Sequence, residues 1–290
     1  MAATRWPDNA RVVAARHRWP AVNAAVHVIE RFRMHRTGRQ SALVAHYGFM
    51  SVFPLMLVFA TVLGFVLQGD PGLRGRIIDS ALSHIPLIGQ QVATAPEELK
   101  GNVLVLIVGI VTALWAGLRA FNALQTALDD IAEVPLTERP SAVEVRVRSL
   151  AAIGAIGLSQ VAAVIATGLI GVSDVGWLNR ILLLLSTLLL NTAALAATYR
   201  WLCSRRSAWR HVAPGAIGGG VAFTVLQILG ATIVARAIAR ATPVYGNFAS
   251  VIGLITWLSL HALIALVGAE LNGVLPLRRF SVPARSELSR

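Results

Sequence analysis

Blocks of about 20 or more mostly apolar residues recur along this 290-residue chain. An α-helix rises about 1.5 Å per residue, so each block is long enough to cross a hydrocarbon core about 30 Å thick. Only 14% of the residues are charged, whereas a soluble domain averages about 25%. Because backbone groups inside lipid must be hydrogen-bonded within their own segment, we interpret the chain as an all-α integral membrane protein.

Six of these blocks are predicted to form transmembrane helices packed in one bundle. They cover residues 42–67, 102–125, 148–171, 179–201, 212–235 and 248–274. Each block is a continuous apolar run and lacks the alternating pattern of a membrane β-barrel strand. An even number of spans places both termini on the same side of the membrane.

The distribution of basic residues predicts which side that is. The side shared by the two termini carries 20 of the 26 Lys and Arg residues, and the opposite side carries 6. Cytoplasmic segments accumulate Lys and Arg, so both termini are predicted to be cytoplasmic. The predicted domains are a basic tail, a membrane domain and a second basic tail, at residues 1–19, 20–276 and 277–290.

Two segments outside the blocks have amphipathic patterns. In residues 20–37, apolar side chains from Val22 to Phe32 recur at helical spacing, and arginines crowd the far end. The first external loop has a similar apolar stripe between Ile77 and Ile85. Each segment either lies at the membrane interface, the first against anionic headgroups, or packs onto the bundle. The pattern leaves both alternatives open.

Glu270 stands out because it is a carboxylate near the end of the last apolar block. It precedes Arg278 by eight residues, about 12 Å of helix, which places it just inside the cytoplasmic boundary. Arg119 in the second block is predicted to lie at a comparable depth. We predict a polar cluster of Arg119, Asn122, Glu270 and Asn272. The cluster either lines a substrate cavity open to the cytoplasm or is a buried ion pair that only fixes helix packing.

Isolated polar residues inside the other blocks have simpler explanations. Gln160, Asn191 and Gln227 are predicted to form hydrogen bonds between helices. His261 lies nine residues before Glu270, on nearly the opposite helix face, and is interpreted as a packing residue.

Pro54 lies inside the first block, where it removes a backbone hydrogen bond and predicts a helix kink. Ser51, three residues earlier, is predicted to satisfy one of the backbone groups that the proline frees. A kinked helix is compatible both with a transport cavity and with a purely structural bend.

The sequence contains no GxxxxGK[ST] phosphate-binding loop, no HExxH zinc motif and no G-x-S-x-G nucleophile elbow. Asp129, Asp130 and Glu133 resemble a weak cation site, but a solvated helix end with neighbouring arginines explains them equally well. We therefore predict no cofactor, no metal and no enzymatic activity. The net charge of +12 is attributed to cytoplasmic loops and not to nucleic-acid binding.

Several stretches together resemble the YihY/BrkB family of bacterial inner-membrane proteins, and most closely its YhjD-like branch. SALVAHYGFMSVFPLMLV resembles the family's first span, and YGNFASVIGLITWL with GAELN resembles its most distinctive segment. RAFNALQTALDDI places Asn122 at the family's Asn, while Gln125 replaces an aromatic residue and Asn247 replaces the usual Ser. The other matched positions are Tyr47, Ser51, Pro54, Tyr245, Gly246, Phe248 and Gly268.

This resemblance implies a six-span protein with a role in cell-envelope integrity, in a family proposed to move lipids or lipid-linked envelope material. It also implies that a ribonuclease label once attached to the family was a misassignment. We predict movement of a lipid or other amphipathic envelope substrate, with membrane lipids and their anionic headgroups as partners. The alternative is a non-catalytic scaffold for envelope-synthesis proteins, and a homo-oligomer is compatible with either.

Overall fold

The computed structural model describes residues 14–16, 18–66, 103–141, 143–151, 176–205, 207–245 and 248–274. All regular structure within these ranges is helical, and none of these residues forms a β-strand. Five of the described helices are long and apolar enough to cross a membrane, with mean hydropathies between 1.6 and 2.2. The predicted all-α membrane architecture is therefore confirmed for this part of the chain.

Six long helices, named α1 to α6 in chain order, make up most of the described structure. They are Pro20–Met34, Thr37–Val66, Val103–Ile131, Gly176–Ala197, Trp209–Tyr245 and Phe248–Val274. Pro20 occupies the first turn of α1, where its missing N–H has no helical acceptor to lose. A π-helical turn at Thr198–Leu202 continues α4, and a 3-10 turn at Leu136–Glu138 follows α3.

Five of the predicted spans correspond to α2 through α6. The predicted third span at 148–171 lies outside the described residues from 152 onward, although residues 143–151 are helical. The predicted external stripe from Ile77 to Ile85 also lies outside them. Polar segments extend the helices past the apolar blocks: α2 begins at Thr37, not at 42, and α3 continues to Ile131.

The helices pack as an antiparallel bundle in which α2 lies against α3 and α6, and α5 lies between α4 and α6. Buried apolar residues join the ends of α3, α4 and α6 to the start of α5. Helix α1 packs against α6 and α2 and buries Val26, while Val22 and Ile29 of the same apolar stripe stay exposed, so only part of the stripe packs onto the bundle. We call this end of the molecule the α1 end.

Polar side chains inside the bundle join α4 to α5. The Asn191 amide donates to Thr224 Oγ1 at 3.2 Å and to Gln227 Oε1 at 3.0 Å. The predicted interhelical hydrogen bonding is thus confirmed for Asn191 and Gln227, while Gln160 lies outside the described residues. Such bonds fix the rotation of neighbouring helices, because in lipid the alternative is an unsatisfied amide.

His261 of α6 has the packing environment that its position predicted. Its ring lies 4.7 Å from the Trp257 ring and 5.0 Å from the Phe223 ring, measured between centroids. The imidazole Nδ1 is 2.9 Å from the carbonyl oxygen of Trp257 on the preceding turn. Aromatic packing between α5 and α6 therefore accounts for this histidine.

Helix α2 runs through Pro54 without ending. The predicted role of Ser51 is wrong, because its hydroxyl donates to the Gly48 carbonyl oxygen at 2.6 Å. The carbonyl that proline deprives of its helical partner belongs to Met50, four residues before it. Ser51 thus forms a local bond to the preceding turn, as hydroxyls in apolar helices commonly do.

Candidate functional site

Glu270 is fully buried in α6 and receives polar groups from three residues near the start of the chain. The Thr37 hydroxyl donates to its Oε1 at 2.7 Å, and His35 Nδ1 lies 2.9 Å from the same oxygen. Arg31 Nε donates to Oε2 at 3.3 Å. A carboxylate this deeply buried requires such partners, since an unpaired charge there would be strongly destabilising.

The corner between α1 and α2 brings these three residues together. Helix α1 ends at Met34, and the backbone N–H of His35 bonds to the Arg31 carbonyl at 2.8 Å. Arg36 then adopts a left-handed conformation with φ of 53°, which stops the helix. The chain turns there, and Thr37 begins α2 directly against Glu270.

Arg31 connects α1 to the ends of two other helices. Its Nη1 donates to Glu133 Oε1 at 2.9 Å, and its Nη2 donates to the Ile131 carbonyl at 2.7 Å. Gly273 leaves room for the guanidinium, since a methyl group there would lie 2.9 Å from Arg31 Nη2. Arg31 therefore faces the bundle, and its side chain is only 14% exposed.

The structure does not bring Arg119 to Glu270. Arg119 is exposed on α3, and its guanidinium lies over the Trp115 ring, 4.2 Å from the ring centroid. Asn122 is exposed on the same helix. The predicted pairing is thus corrected: the cation at Glu270 is Arg31, because α3 presents other side chains to the interior.

Asn272 lies on α6, as Glu270 does, but it joins α6 to a different helix. Its Oδ1 accepts a hydrogen bond from the Gly215 backbone N–H of α5 at 2.7 Å. A methyl group at Gly215 would collide with the Gly268 carbonyl oxygen, so α5 and α6 meet there backbone to backbone. Gly268, one of the family-motif positions, is therefore a glycine that lets α5 and α6 approach closely.

Three other family-motif positions lie on α2 beyond Thr37, the residue of that helix that bonds to Glu270: Tyr47, Ser51 and Pro54. Tyr47 packs edge-on against His46 on α2, with ring centroids 5.6 Å apart. Gly246 and the side chains of Tyr245 and Phe248 lie outside the described part of the structure. Their functional roles remain predictions.

The acidic residues at the end of α3 are bonded to separate elements. Asp129 accepts from the Ser204 backbone N–H at 2.7 Å and from the Ser204 hydroxyl at 2.6 Å. Asp130 accepts from Arg139 at 2.6 Å and from Gln40 at 2.7 Å. These carboxylates diverge, and the described residues include no group of three or more His, Cys, Asp or Glu able to hold a metal ion.

A cavity of about 310 Å³ lies beside the Glu270 contacts at the α1 end. We call it the α1 cavity. Its apolar wall comes from the ends of α3 and α6 and from the start of α5. Its polar lining consists of Arg31, Glu133, Tyr199, Cys203, Arg205, Ser207, His211 and Asn272. The Tyr199 hydroxyl is itself bonded to the Ala265 carbonyl at 2.6 Å, which fixes the floor of the cavity.

Cys203, the single cysteine of the chain, is buried at this cavity. Burial raises the pKa of its thiol to about 11, and the nearby Asp129 carboxylate further opposes ionisation. Since the thiolate is the reactive form, maleimide labelling at pH 7.5 should be about 100-fold slower in the folded protein than in the unfolded chain. The folded rate should rise as the pH approaches 11.

Mass spectrometry of the intact protein measures this labelling without ambiguity, because only one thiol is present. Equal rates in the folded and unfolded protein at pH 7.5 would contradict the buried position of Cys203.

The fold and site define a class: a multi-pass α-helical membrane protein with a polar cavity at one end of the bundle. The family model described as virulence factor BrkB matches residues 28–288. The chain therefore belongs to the BrkB family, as its sequence motifs predicted. No solved structure matches it.

Curated relatives agree with this membership. The ribonuclease-like protein YfkH of Bacillus subtilis is 23% identical over 87% of this chain and 94% of its own length. The inner membrane protein YhjD of Escherichia coli is 26% identical over 38% of this chain and 34% of its own length. A UPF0761 membrane protein of Nitrosospira multiformis is 33% identical over 34% of this chain and 23% of its own length.

Proposed function

We propose that this protein moves a lipid or another amphipathic envelope substrate, and thereby supports cell-envelope integrity. The α1 cavity takes up the polar part of the substrate from the cytoplasmic side of the inner membrane, where both termini lie. The proposal assigns no catalytic step to the chain and no nucleic-acid partner. Membrane lipids are its primary partners, and a homo-oligomer is compatible with it.

The observation that carries this proposal is the mixed lining of the α1 cavity. The lining combines charged and amide side chains with the apolar side chains of Leu128, Ile131 and Val212. A site of this kind matches a molecule with a polar head and an apolar body, because each part meets surroundings that resemble its own. The basic α1 end would also attract anionic lipid headgroups.

Lipid movement in liposomes that contain the purified protein tests the proposal. Ala132 lines the cavity, so Ala132→Trp fills it without changing the charge. We expect this variant to slow the movement of a fluorescent lipid about tenfold or more relative to wild type. Leu136→Trp is the matched control, since Leu136 is 80% exposed at the same end and does not line the cavity.

The scaffold alternative makes the opposite prediction in cells. If the protein only recruits envelope-synthesis proteins through its basic tails, removing residues 1–18 or 280–290 should impair the envelope more than Ala132→Trp does. If the protein moves lipid, Ala132→Trp should be the more harmful change. No lipid movement by the wild type, with several headgroups tested, would refute the proposed transport.

A further inference from the structure

The α1 cavity has more positive than negative groups on its lining. The guanidinium groups of Arg31 and Arg205 line it, and Glu133 is its only acidic residue among those described. Glu133 is already paired with Arg31 at 2.9 Å. Within the described part of the chain, the Arg205 guanidinium therefore has no carboxylate partner. An anion entering the cavity would supply one.

Asn272, which also lines the cavity, carries a second donor whose orientation is fixed by a hydrogen bond. Asn272 Oδ1 accepts from the Gly215 N–H, and this bond decides which end of the amide is oxygen. The other end of the amide is then the Nδ2 donor, which is buried without a hydrogen-bond acceptor among the described residues. Buried donors are nearly always satisfied, so this amide would gain an acceptor if the groups packed over Nδ2 moved aside for a ligand oxygen in the cavity.

The cavity wall adds backbone donors. Helix α5 begins at Trp209, and its first-turn residues His211 and Val212 line the cavity. N–H groups in the first turn of a helix have no acceptor within the helix, and the helix dipole favours negative charge there. This effect reinforces the side-chain donors but would not by itself define a site.

We propose that the α1 cavity binds a phosphate-bearing anionic headgroup through Arg205, His211 and Asn272 Nδ2. This assignment rests on the proposed function and specifies its substrate class. Several donors on the lining of one cavity suit the several oxygens of a phosphate better than the two oxygens of a carboxylate. A volume of about 310 Å³ accommodates a headgroup and the first carbons beside it, and leaves the acyl chains outside.

Binding by the purified full-length protein in neutral detergent micelles tests the assignment. Phosphatidylglycerol and inorganic phosphate are titrated separately, and bound ligand is counted by native mass spectrometry. We expect Arg205→Gln to weaken phosphatidylglycerol binding about tenfold, because a charge-assisted bond is lost. We expect a similar loss for Asn272→Asp, which keeps an acceptor for the Gly215 N–H but replaces the Nδ2 donor by a carboxylate oxygen.

Arg146→Gln is the matched control, because Arg146 is exposed, as Arg205 is, but does not line the cavity. Equal losses for Arg146→Gln and Arg205→Gln would show general charge attraction and overturn the assignment. Unchanged binding in both Arg205→Gln and Asn272→Asp would overturn it as well. Thermal unfolding of each variant shows whether a loss of binding is a loss of folding, and Arg205→Lys should recover part of the affinity.

Comparing the two ligands distinguishes a failure of the phosphate assignment from a failure of the proposed function. Arg205-dependent binding of both ligands supports a phosphate site that accepts lipid. Arg205-dependent binding of inorganic phosphate alone supports the site but contradicts lipid as the substrate. Two results together would support the proposed function and overturn the phosphate assignment. Ala132→Trp would block lipid movement, and Arg205→Gln would leave lipid binding unchanged.

Discussion

Glu270→Gln is expected to lower the free energy of unfolding by about 3 kcal/mol. The variant keeps the shape of the side chain but removes its charge from a fully buried position. An amide would retain the bond from Thr37 on one side while directing N–H groups toward the Arg31 and His35 donors on the other. Arg31 then keeps only the exposed Glu133 as a carboxylate partner, and weakening the compensation of a largely buried cation costs more than the bond itself.

Loss of this contact should also free α1, because Glu270 holds both Arg31 and His35 to α6. Trypsin cleavage at Arg33, Arg36 or Arg39 should then become faster than in the wild type. Unfolding followed by circular dichroism in one detergent measures the stability. Gel analysis of the trypsin digest measures the release of α1.

Glu144→Gln provides the control, because Glu144 is a half-exposed carboxylate paired with Arg148 one helical turn away. Surface pairs of this kind contribute about 0.5 kcal/mol or less, so little change is expected. If both glutamine variants behaved alike, Glu270 would not hold α1 to the bundle. A stable Glu270→Gln protein with wild-type trypsin resistance would lead to the same conclusion.

The membrane helices were predictable because apolar length alone determines them. The last span illustrates this, since its predicted bounds of 248–274 coincide with α6. The predictions failed where polar residues continued a helix, as at the end of α3. There the buried Asp129 carboxylate is satisfied by two hydrogen bonds from Ser204, and neither hydropathy nor helical spacing reveals such a partner.

The candidate site was predictable only in part. Glu270 could be identified because a carboxylate in an apolar block needs a partner. The partner could not be identified, since Arg31 lies 239 residues earlier in the chain. Its contact depends on the sharp corner at Arg36, where the left-handed conformation is adopted by a residue that does not favour it. The nearest glycine, Gly38, lies in the first turn of α2 and not at the left-handed position itself.

Close contact between α5 and α6 leads to a second large expected effect: Gly268→Ala should lower the free energy of unfolding by about 2–3 kcal/mol. A methyl group at Gly268 would collide with the Tyr199 hydroxyl and lie 2.8 Å from the Gly215 carbonyl oxygen. Tyr199 cannot simply move aside, because it is buried and its hydroxyl is bonded to the Ala265 carbonyl at 2.6 Å. The helices must therefore separate.

Gly48→Ala is the matched change, since a methyl group at Gly48 of α2 would meet nothing within 4 Å. Alanine is favoured over glycine in a helix by about 1 kcal/mol, so this variant should be as stable as the wild type or more stable. Glycine-to-alanine substitution is thus expected to lower the free energy of unfolding at Gly268 and not at Gly48, and packing around the added methyl group alone makes the difference. Unfolding titrations of both variants in one detergent provide the comparison, and a neutral Gly268→Ala would show that α5 and α6 are not in backbone contact.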